Sequence, residues 1–122
     1  MAEGRRRRRA ETAGRLAELA TAILLSLKGY RVRARRLRTP VGELDLVARR
    51  GDTIAFVEVK LRRDRQLADE AVTPRNRRRL VAAAQWWLAA NPEYVGYVLR
   101  FDIVLWVPWA WPKHVVDAFD SV

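Results

Sequence analysis

The stretch of residues 42–63 constrains the fold more than any other part of the chain. It reads as two β-strands, over residues 43–49 and 53–61, joined at Gly51-Asp52. Glycine in the first central place of a two-residue turn is typical of a type II′ β-hairpin. The sequence therefore predicts an antiparallel hairpin whose register is set by this turn.

The predicted register brings two acids together. Asp45 falls opposite Glu58, and Glu43 falls opposite Lys60, with Cβ atoms of facing side chains roughly 4.5–5.5 Å apart. Two facing carboxylates repel each other, and a hard divalent cation with oxygen ligands removes that repulsion. The alternative is a ladder of cross-strand salt bridges on a solvated face, in which Glu43 pairs with Lys60 and Asp45 with an arginine.

Strand alternation predicts the same grouping of side chains. One face of the hairpin is apolar and carries Leu44, Leu46, Ala48, Ala55, Val57, Val59 and Leu61. The other face carries the charged residues Glu43, Asp45, Glu58 and Lys60. Charged side chains on a mostly buried strand are uncommon unless they are paired or bind a metal.

The hairpin also resembles a nuclease signature. Asp45, followed by Glu58-Val59-Lys60 at the end of a hydrophobic strand, is similar to the PD-(D/E)xK motif, although Leu44 stands where that motif has proline. Residues 42–48, 56–62, 71–74 and 100–104 resemble, in order, the YraN family of small bacterial proteins. The resemblance implies a restriction-endonuclease-like α/β domain, with a central mixed β-sheet flanked by α-helices, similar to Holliday junction resolvases.

The resemblance implies an activity and a role for each residue of the site. The activity is metal-dependent hydrolysis of phosphodiester bonds in DNA, with junctions or branched DNA as substrates, in repair or recombination. Asp45 and Glu58 would hold Mg²⁺ or Mn²⁺, and Lys60 would act on the attacking water or on the transition state. Glu43 would hold Lys60 in place. Glu18 is the candidate third metal-binding acid by resemblance, whereas taken alone it is a surface residue of a helix.

Composition narrows the chemistry. A chain of 122 residues suits one domain. With no cysteine and a single histidine, thiolate zinc, cysteine nucleophiles and a histidine-rich metal site are excluded. Carboxylate oxygens remain as metal ligands, and these suit Mg²⁺ or Mn²⁺. Lys and Arg number 24 against 14 acids, a net charge of +10 that is typical of a nucleic-acid-binding protein.

Three basic segments are candidate contacts for phosphate. Arg5 to Arg9 form a run within residues 1–10, which are predicted to be a disordered tail ahead of a nuclease-like domain of residues 11–122. The loop after the hairpin and the start of the second helix carry the candidate nucleic-acid-binding residues Arg62, Arg63, Arg75, Arg77, Arg78 and Arg79. Cations in the first turns of a helix oppose its dipole and cost stability. The presence of Arg75, Arg77, Arg78 and Arg79 there therefore favours a role in contacting phosphate. The loop fits a plain solvated segment equally well.

Helices and strands are expected on both sides of the hairpin. A helix over residues 11–28, followed by Gly29, has an apolar stripe at helical spacing that we expect to be buried. Its residues are Ala13, Leu16, Ala17, Ala20, Ile23, Leu24 and Leu27. A second helix starts at Thr73-Pro74, with Thr73 as N-cap, and strands are predicted over residues 30–38, 97–107 and 115–119. Asp102 is expected to pair with a buried arginine, and His114 to be structural.

The C-terminal third is rich in tryptophan. Trp106, Trp109 and Trp111 are predicted to lie in the core or in a homodimer interface, with base stacking as the alternative. A basic start followed by apolar residues 19–27 suggests a signal peptide, but Glu11 and Glu18 interrupt it and no cleavage site follows. No stretch is long enough to span a membrane, so the protein is predicted to be cytoplasmic.

Two other functions fit the same charge. The chain could be a nucleic-acid-binding or adaptor protein with a vestigial nuclease site. It could also be a basic subunit of a ribosome- or repair-associated assembly that uses the tryptophans as its interface. The acid pair with Lys60 favours a nuclease, since binding alone does not require it.

Overall fold

Five strands and two α-helices form a single layered unit in the computed structural model, which describes residues 2–63 and 73–119. The elements in chain order are α1 (Ala2–Leu27), β1 (Arg31–Thr39), β2 (Gly42–Arg50), β3 (Thr53–Leu61), α2 (Pro74–Ala90), a 3₁₀ turn (Pro92–Tyr94), β4 (Val98–Trp106) and β5 (Lys113–Phe119). The sheet order is β1-β2-β3-β4-β5. β3 and β4 are parallel, and the other neighbours are antiparallel. The predicted α/β architecture with a mixed sheet is confirmed.

The predicted hairpin and its turn are present. Gly51 has a φ of 61° and Asp52 is not among the residues with positive φ, as a type II′ turn requires. The β2–β3 register runs from the pair of Arg50 and Thr53 to that of Leu46 and Val57. Beyond that pair the two strands are no longer matched residue by residue.

Each face of the sheet carries its own hydrophobic cluster. The cluster beneath α2 contains Leu44, Val47, Ile54, Phe56, Leu80, Ala83, Ala84, Trp87, Phe101 and Phe119. The cluster beneath α1 contains Ala22, Leu25, Tyr30, Leu46, Ala48, Ala55, Val57 and Val104. The prediction that Leu44 and Leu46 share a face is wrong, because alternation along β2 breaks at Asp45, where pairing with β3 ends.

Helix α1 begins earlier than the sequence predicts. Residues 2–10, expected to form a disordered tail, continue the helix from Ala2, and all of them are exposed. Arginine is a good helix former, and the acid Glu3 in the first turn complements the helix dipole. The prediction of a disordered segment is therefore wrong, and the run of arginines lies on a helix.

The buried face of α1 is also not the predicted one. Leu16, Ile23 and Leu27 are exposed, whereas the residues that face the sheet are Ala17, Glu18, Thr21, Ala22 and Leu25. Thr21 Oγ1 donates to the carbonyl of Ala17 at 2.7 Å and accepts from Trp106 Nε1 at 2.8 Å. These polar contacts orient the helix and turn Glu18 toward the sheet.

Helix α2 begins as predicted and approaches β2 closely. The Thr73 side chain accepts a hydrogen bond from the backbone N–H of Asn76 at 3.2 Å, and Pro74 starts the helix. At the start of β2, a Cβ on Gly42 would lie 2.3 Å from the carbonyl oxygen of Arg79. Glycine is therefore required there so that the two backbones can meet.

The three C-terminal tryptophans have different environments. Trp106 packs against the cluster beneath α1, but Trp109 and Trp111 are 104% and 88% exposed. Both belong to the segment between β4 and β5, outside the sheet, so the prediction of a core position is wrong for these two. None of the helices in the described ranges is long and apolar enough to cross a membrane.

Candidate active site

The predicted site lies where β2 and β3 separate, beside α1. A cleft of about 350 Å³ opens here between α1, β1, β2 and the end of β3, and Glu58 and Lys60 lie beside it rather than in its wall. Its wall carries both signs of charge, with the acids Glu11, Glu18, Glu43 and Asp45 and the bases Arg15, Arg36 and Arg38. Such a surface can bind a cation and a phosphate side by side.

Asp45 and Glu58 converge as the register predicted. Asp45 Oδ2 accepts a hydrogen bond from the backbone N–H of Val59 at 2.7 Å, so this side chain reaches across to β3 where the strand ladder ends. Burial raises the pKa of Glu58 to about 8, and the nearby Asp45 adds to the rise through its charge and as a hydrogen-bond partner. Two carboxylates in one place repel each other, so the pair needs a proton or a cation.

Lys60 pairs with Glu58 rather than with Glu43. Lys60 Nζ lies 3.4 Å from Glu58 Oε1, and both side chains are largely buried. Glu43 instead lies opposite Arg38 of β1 and is exposed on the cleft wall. The predicted pairing of Glu43 with Lys60 is wrong because the strands separate beyond Leu46. The charge of Lys60 acts to lower the pKa of Glu58, but it offsets only part of the rise that burial and Asp45 cause.

Glu18 is a buried acid of the cleft and not a surface residue. It is 8% exposed, and its Oε1 has no hydrogen-bond partner. Burial raises its pKa and the charge of Asp45 raises it further, while Arg36, Arg35 and Arg15 act in the opposite direction. The Nε of Arg36 is 4.0 Å from Oε1. The structure thus brings Glu18 into the electrostatic field of Asp45.

These residues fit a hard divalent cation. Oε1 of Glu18 is buried and has no hydrogen-bond partner, and burial together with Asp45 raises the pKa of Glu58. Carboxylate oxygens are the donors that Mg²⁺ and Mn²⁺ prefer. Within the described residues, no group of three or more His, Cys, Asp or Glu side chains is arranged to hold a metal. Asp45 and Glu58 are the two acids that come together here, and Glu18 lies within the electrostatic influence of Asp45.

Asp102 belongs to a separate, structural network. Although burial acts to raise its pKa, hydrogen bonds from His114, Arg100 and the backbone N–H of Asp117 hold that pKa at about 2. Arg100 donates twice at 2.9 Å, and His114 Nε2 lies 2.8 Å from Oδ2. The predictions of an arginine partner and of a structural histidine are confirmed.

The candidate phosphate-binding arginines lie near the end of the sheet at which β2 begins and β3 ends. Arg63 is exposed, while Arg62 is half-buried and donates to the carbonyl of Leu61 at 2.9 Å. The exposed arginines at the start of α2 are Arg75, Arg77, Arg78 and Arg79. The contact between Gly42 and Arg79 places this part of α2 beside the start of β2. The rest of the loop, residues 64–72, lies outside the described residues.

Sequence reasoning missed the basic side of the cleft. Arg36 and Arg38 of β1 and Arg15 of α1 line it together with the acids. Arg36 also has a positive φ of 51°, which lets its side chain leave the regular alternation of an edge strand. The run of arginines in residues 31–38 was the available signal.

Comparison with known proteins gives a consistent family match. Residues 17–106 match the model of a family described as uncharacterised protein family UPF0102. A UPF0102 protein of Bradyrhizobium diazoefficiens is 53% identical over 105 residues, which cover 86% of this chain and 79% of that protein. One of Mesorhizobium japonicum is 49% identical over 113 residues, covering 93% and 90%. These matches confirm the resemblance to the YraN family.

A solved structure supports the fold. It is the Holliday junction resolvase Hjc of Archaeoglobus fulgidus, with a TM-score of 0.54, 17% identity, and coverage of 85% of this chain and 72% of that one. At this identity the likeness concerns the fold alone. The predicted α/β fold, similar to that of a Holliday junction resolvase, is confirmed.

Proposed function

The chain belongs to the UPF0102 family, and we propose that it is a metal-dependent endonuclease that hydrolyses phosphodiester bonds in DNA. The observation that carries the proposal is the environment of Glu58, a carboxyl with a pKa near 8 between Asp45 and Lys60. A purely structural ion pair would not require a second acid at this point. Perturbed acids in a cleft are typical of catalytic sites.

The acids and the lysine at the separation of β2 and β3 would each have a role in this chemistry. Asp45 and Glu58 would hold Mg²⁺ or Mn²⁺, with Glu18 as a further oxygen donor, directly or through water. The bound ion would polarise the scissile phosphate and lower the pKa of water. Lys60, held beside Glu58, would orient the attacking water or offset the charge that develops on the phosphate.

Basic side chains would position the nucleic acid. Arg15, Arg36 and Arg38 lie on the cleft wall with the acids, where they can contact the phosphates next to the scissile bond. Arginine suits this role because its guanidinium group binds phosphate oxygens in pairs. Arg62, Arg63 and the arginines of α2 would extend the contact along the strand, and the net charge of +10 favours a polyanion.

We extend the proposal to branched DNA, including four-way junctions, and to repair or recombination in the cytoplasm. The support is the similarity in fold to a protein that is a Holliday junction resolvase. A homodimer would bring two clefts to one junction, since symmetric cutting of two strands requires two sites.

The test is a cleavage assay on labelled four-way junction, flap, duplex and single-stranded DNA with Mg²⁺, Mn²⁺ or EDTA. We expect cleavage by the wild type with metal, and loss of at least 100-fold in rate for Asp45→Asn, Glu58→Gln and Lys60→Met, since each removes a group acting on the transition state. Glu93→Gln is the matched control. Glu93 is an exposed acid of the 3₁₀ turn that precedes β4, at the opposite end of the sheet from the acid pair.

Binding measured in parallel separates this proposal from the second candidate function. Tight binding of DNA with no cleavage in either metal would overturn the nuclease and favour a nucleic-acid-binding or adaptor protein. Glu58 and Asp45 would then form a structural pair. The exposed arginines favour binding in both cases, so only cleavage distinguishes the two functions.

A further inference from the structure

Trp109 is an exposed aromatic residue on a constrained backbone. Its side chain is 104% exposed, and its φ of 62° lies in the left-handed region that bulky residues rarely adopt. Pro108 and Pro112 on either side fix two more backbone angles in the segment. A strained residue that holds a large apolar ring in water costs stability, which points to a function for the exposed ring.

The segment that carries Trp109 lies at the same end of the sheet as the acids, where strands β3 and β4 finish. Because β3 and β4 are parallel, their C-terminal ends meet, with Lys60 beside Leu105 and Leu61 beside Trp106. The backbone N–H of Arg62 donates to the carbonyl of Trp106 at 2.9 Å. Three residues span at most about 10 Å, so Trp109 stays close to the end of β3.

The positive charge around this end of the sheet favours a nucleic acid as the partner of Trp109. Arg63 and Lys113 are exposed at the two chain segments that flank it, and the whole chain carries +10. A second copy of the chain would bring the same positive charge to the contact. A nucleic acid strand brings phosphates for the cations and flat bases for the indole ring, and alternating cationic and aromatic groups are typical of single-strand binding.

We propose that Trp109 stacks on an unpaired base of a DNA strand whose backbone lies in the cleft. In a paired duplex each base is already stacked on its neighbours, so the indole ring would gain a partner only where bases are unpaired, as in a flap, gap or branch point. The inference rests on the proposed function of the cleft and deepens it, since it names DNA with unpaired bases as the preferred substrate.

The test compares Trp109→Ala with the wild type in EDTA, where binding is measured without cleavage. The probes are a fluorescently labelled flap, a single strand and a fully paired duplex of equal length, followed by anisotropy. A stacked base contributes about 1–3 kcal/mol, so we expect Trp109→Ala to weaken binding of the flap and single strand about 5- to 150-fold. Binding of the duplex should change less than about twofold, since its bases offer the ring no partner.

Two matched variants complete the design. Trp109→Phe keeps an aromatic ring and should restore most of the affinity. Trp86→Ala removes another exposed tryptophan, on α2, and should leave all three affinities unchanged.

Three results would overturn the inference. They are unchanged affinity of Trp109→Ala for every probe, an equal loss on duplex and flap, and conversion of a dimer to a monomer by the substitution in sedimentation experiments. The last result would make the segment an interface between copies. Because the readout is binding in EDTA, a failure of nuclease activity in the cleavage assay would remain distinguishable from a failure of stacking.

Discussion

The ionisation of Glu58 makes the stability of the protein depend on pH. Its pKa is near 8 in the folded protein against an ordinary value of 4.5, with burial as the main cause. Between these values the folded state holds a proton that the unfolded state has released. Stability in metal-free buffer therefore falls as pH rises from about 5 to above 8.

We predict that Glu58→Gln stabilises the metal-free protein at pH 8.5 and has little effect at pH 5. The amide resembles the protonated acid, so it removes the cost of ionising a buried group beside Asp45. The expected gain in the free energy of unfolding at pH 8.5 is on the order of 2 kcal/mol, measured by urea denaturation in EDTA. Glu93→Gln should change neither value. A loss of stability at both pH values would contradict the role given to Asp45.

The acid pair could be predicted from sequence, but its neighbours could not. A two-residue turn fixes the register of a hairpin, and that register predicts that Asp45 faces Glu58. The end of the pairing at Leu46 depends on the hydrogen bond from Val59 to Asp45, which has no sequence pattern. The same local change moved Leu44 to the other face and Glu43 away from Lys60.

The buried face of helix α1 also could not be predicted from the sequence. Its spacing of apolar residues gives a regular stripe, yet the hydrogen bond from Trp106 to Thr21 turns a narrower face toward the sheet. A contact between residues this far apart in the chain cannot be read from periodicity. The start and N-cap of α2 were predictable because a cap involves only neighbouring residues.

The packing of α2 on β2 depends on Gly42. We predict that Gly42→Ala lowers the free energy of unfolding by about 1–3 kcal/mol, because the new Cβ would lie 2.3 Å from the backbone oxygen of Arg79 and the helix must move. Denaturant titration followed by circular dichroism measures the effect.

Gly14→Ala is the matched control for this substitution. A Cβ on Gly14 of α1 meets nothing within 4 Å, so alanine should stabilise the helix by up to about 1 kcal/mol. A gain in stability from Gly42→Ala, like the gain expected at Gly14, would show that the approach of Arg79 to β2 does not require glycine at position 42.

Helix α1 carries a run of five arginines and also contributes to the wall of the cleft. Arg5 to Arg9 lie on the exposed start of the helix that later contributes Glu11 and Arg15 to the cleft wall. This continuity directs the five arginines toward the same polyanion that the cleft would bind.

We predict that removing residues 1–10 weakens DNA binding and its dependence on salt. Each phosphate contact contributes a slope of about −0.9 to the plot of log affinity against log salt concentration, so loss of the contacts of Arg5 to Arg9 should lower the magnitude of the slope by up to about 4.5. Titrations at several salt concentrations measure it. A variant with lysine at positions 5–9 keeps the charge and should keep the slope. An unchanged slope after truncation would show that the helix start does not contact DNA.

The tight turn at Gly51 has a consequence for the order of folding. A hairpin closed by two residues forms within about 1–10 μs, whereas β4 can join β3 only after residues 62–97 have crossed the sheet through α2. Closure of so long a segment is slower, because more chain entropy is lost before the strands pair. We therefore expect Asp45 and Glu58 to meet while β3 still has an open edge, so that the acids come together in water and lose their hydration only when the sheet is completed.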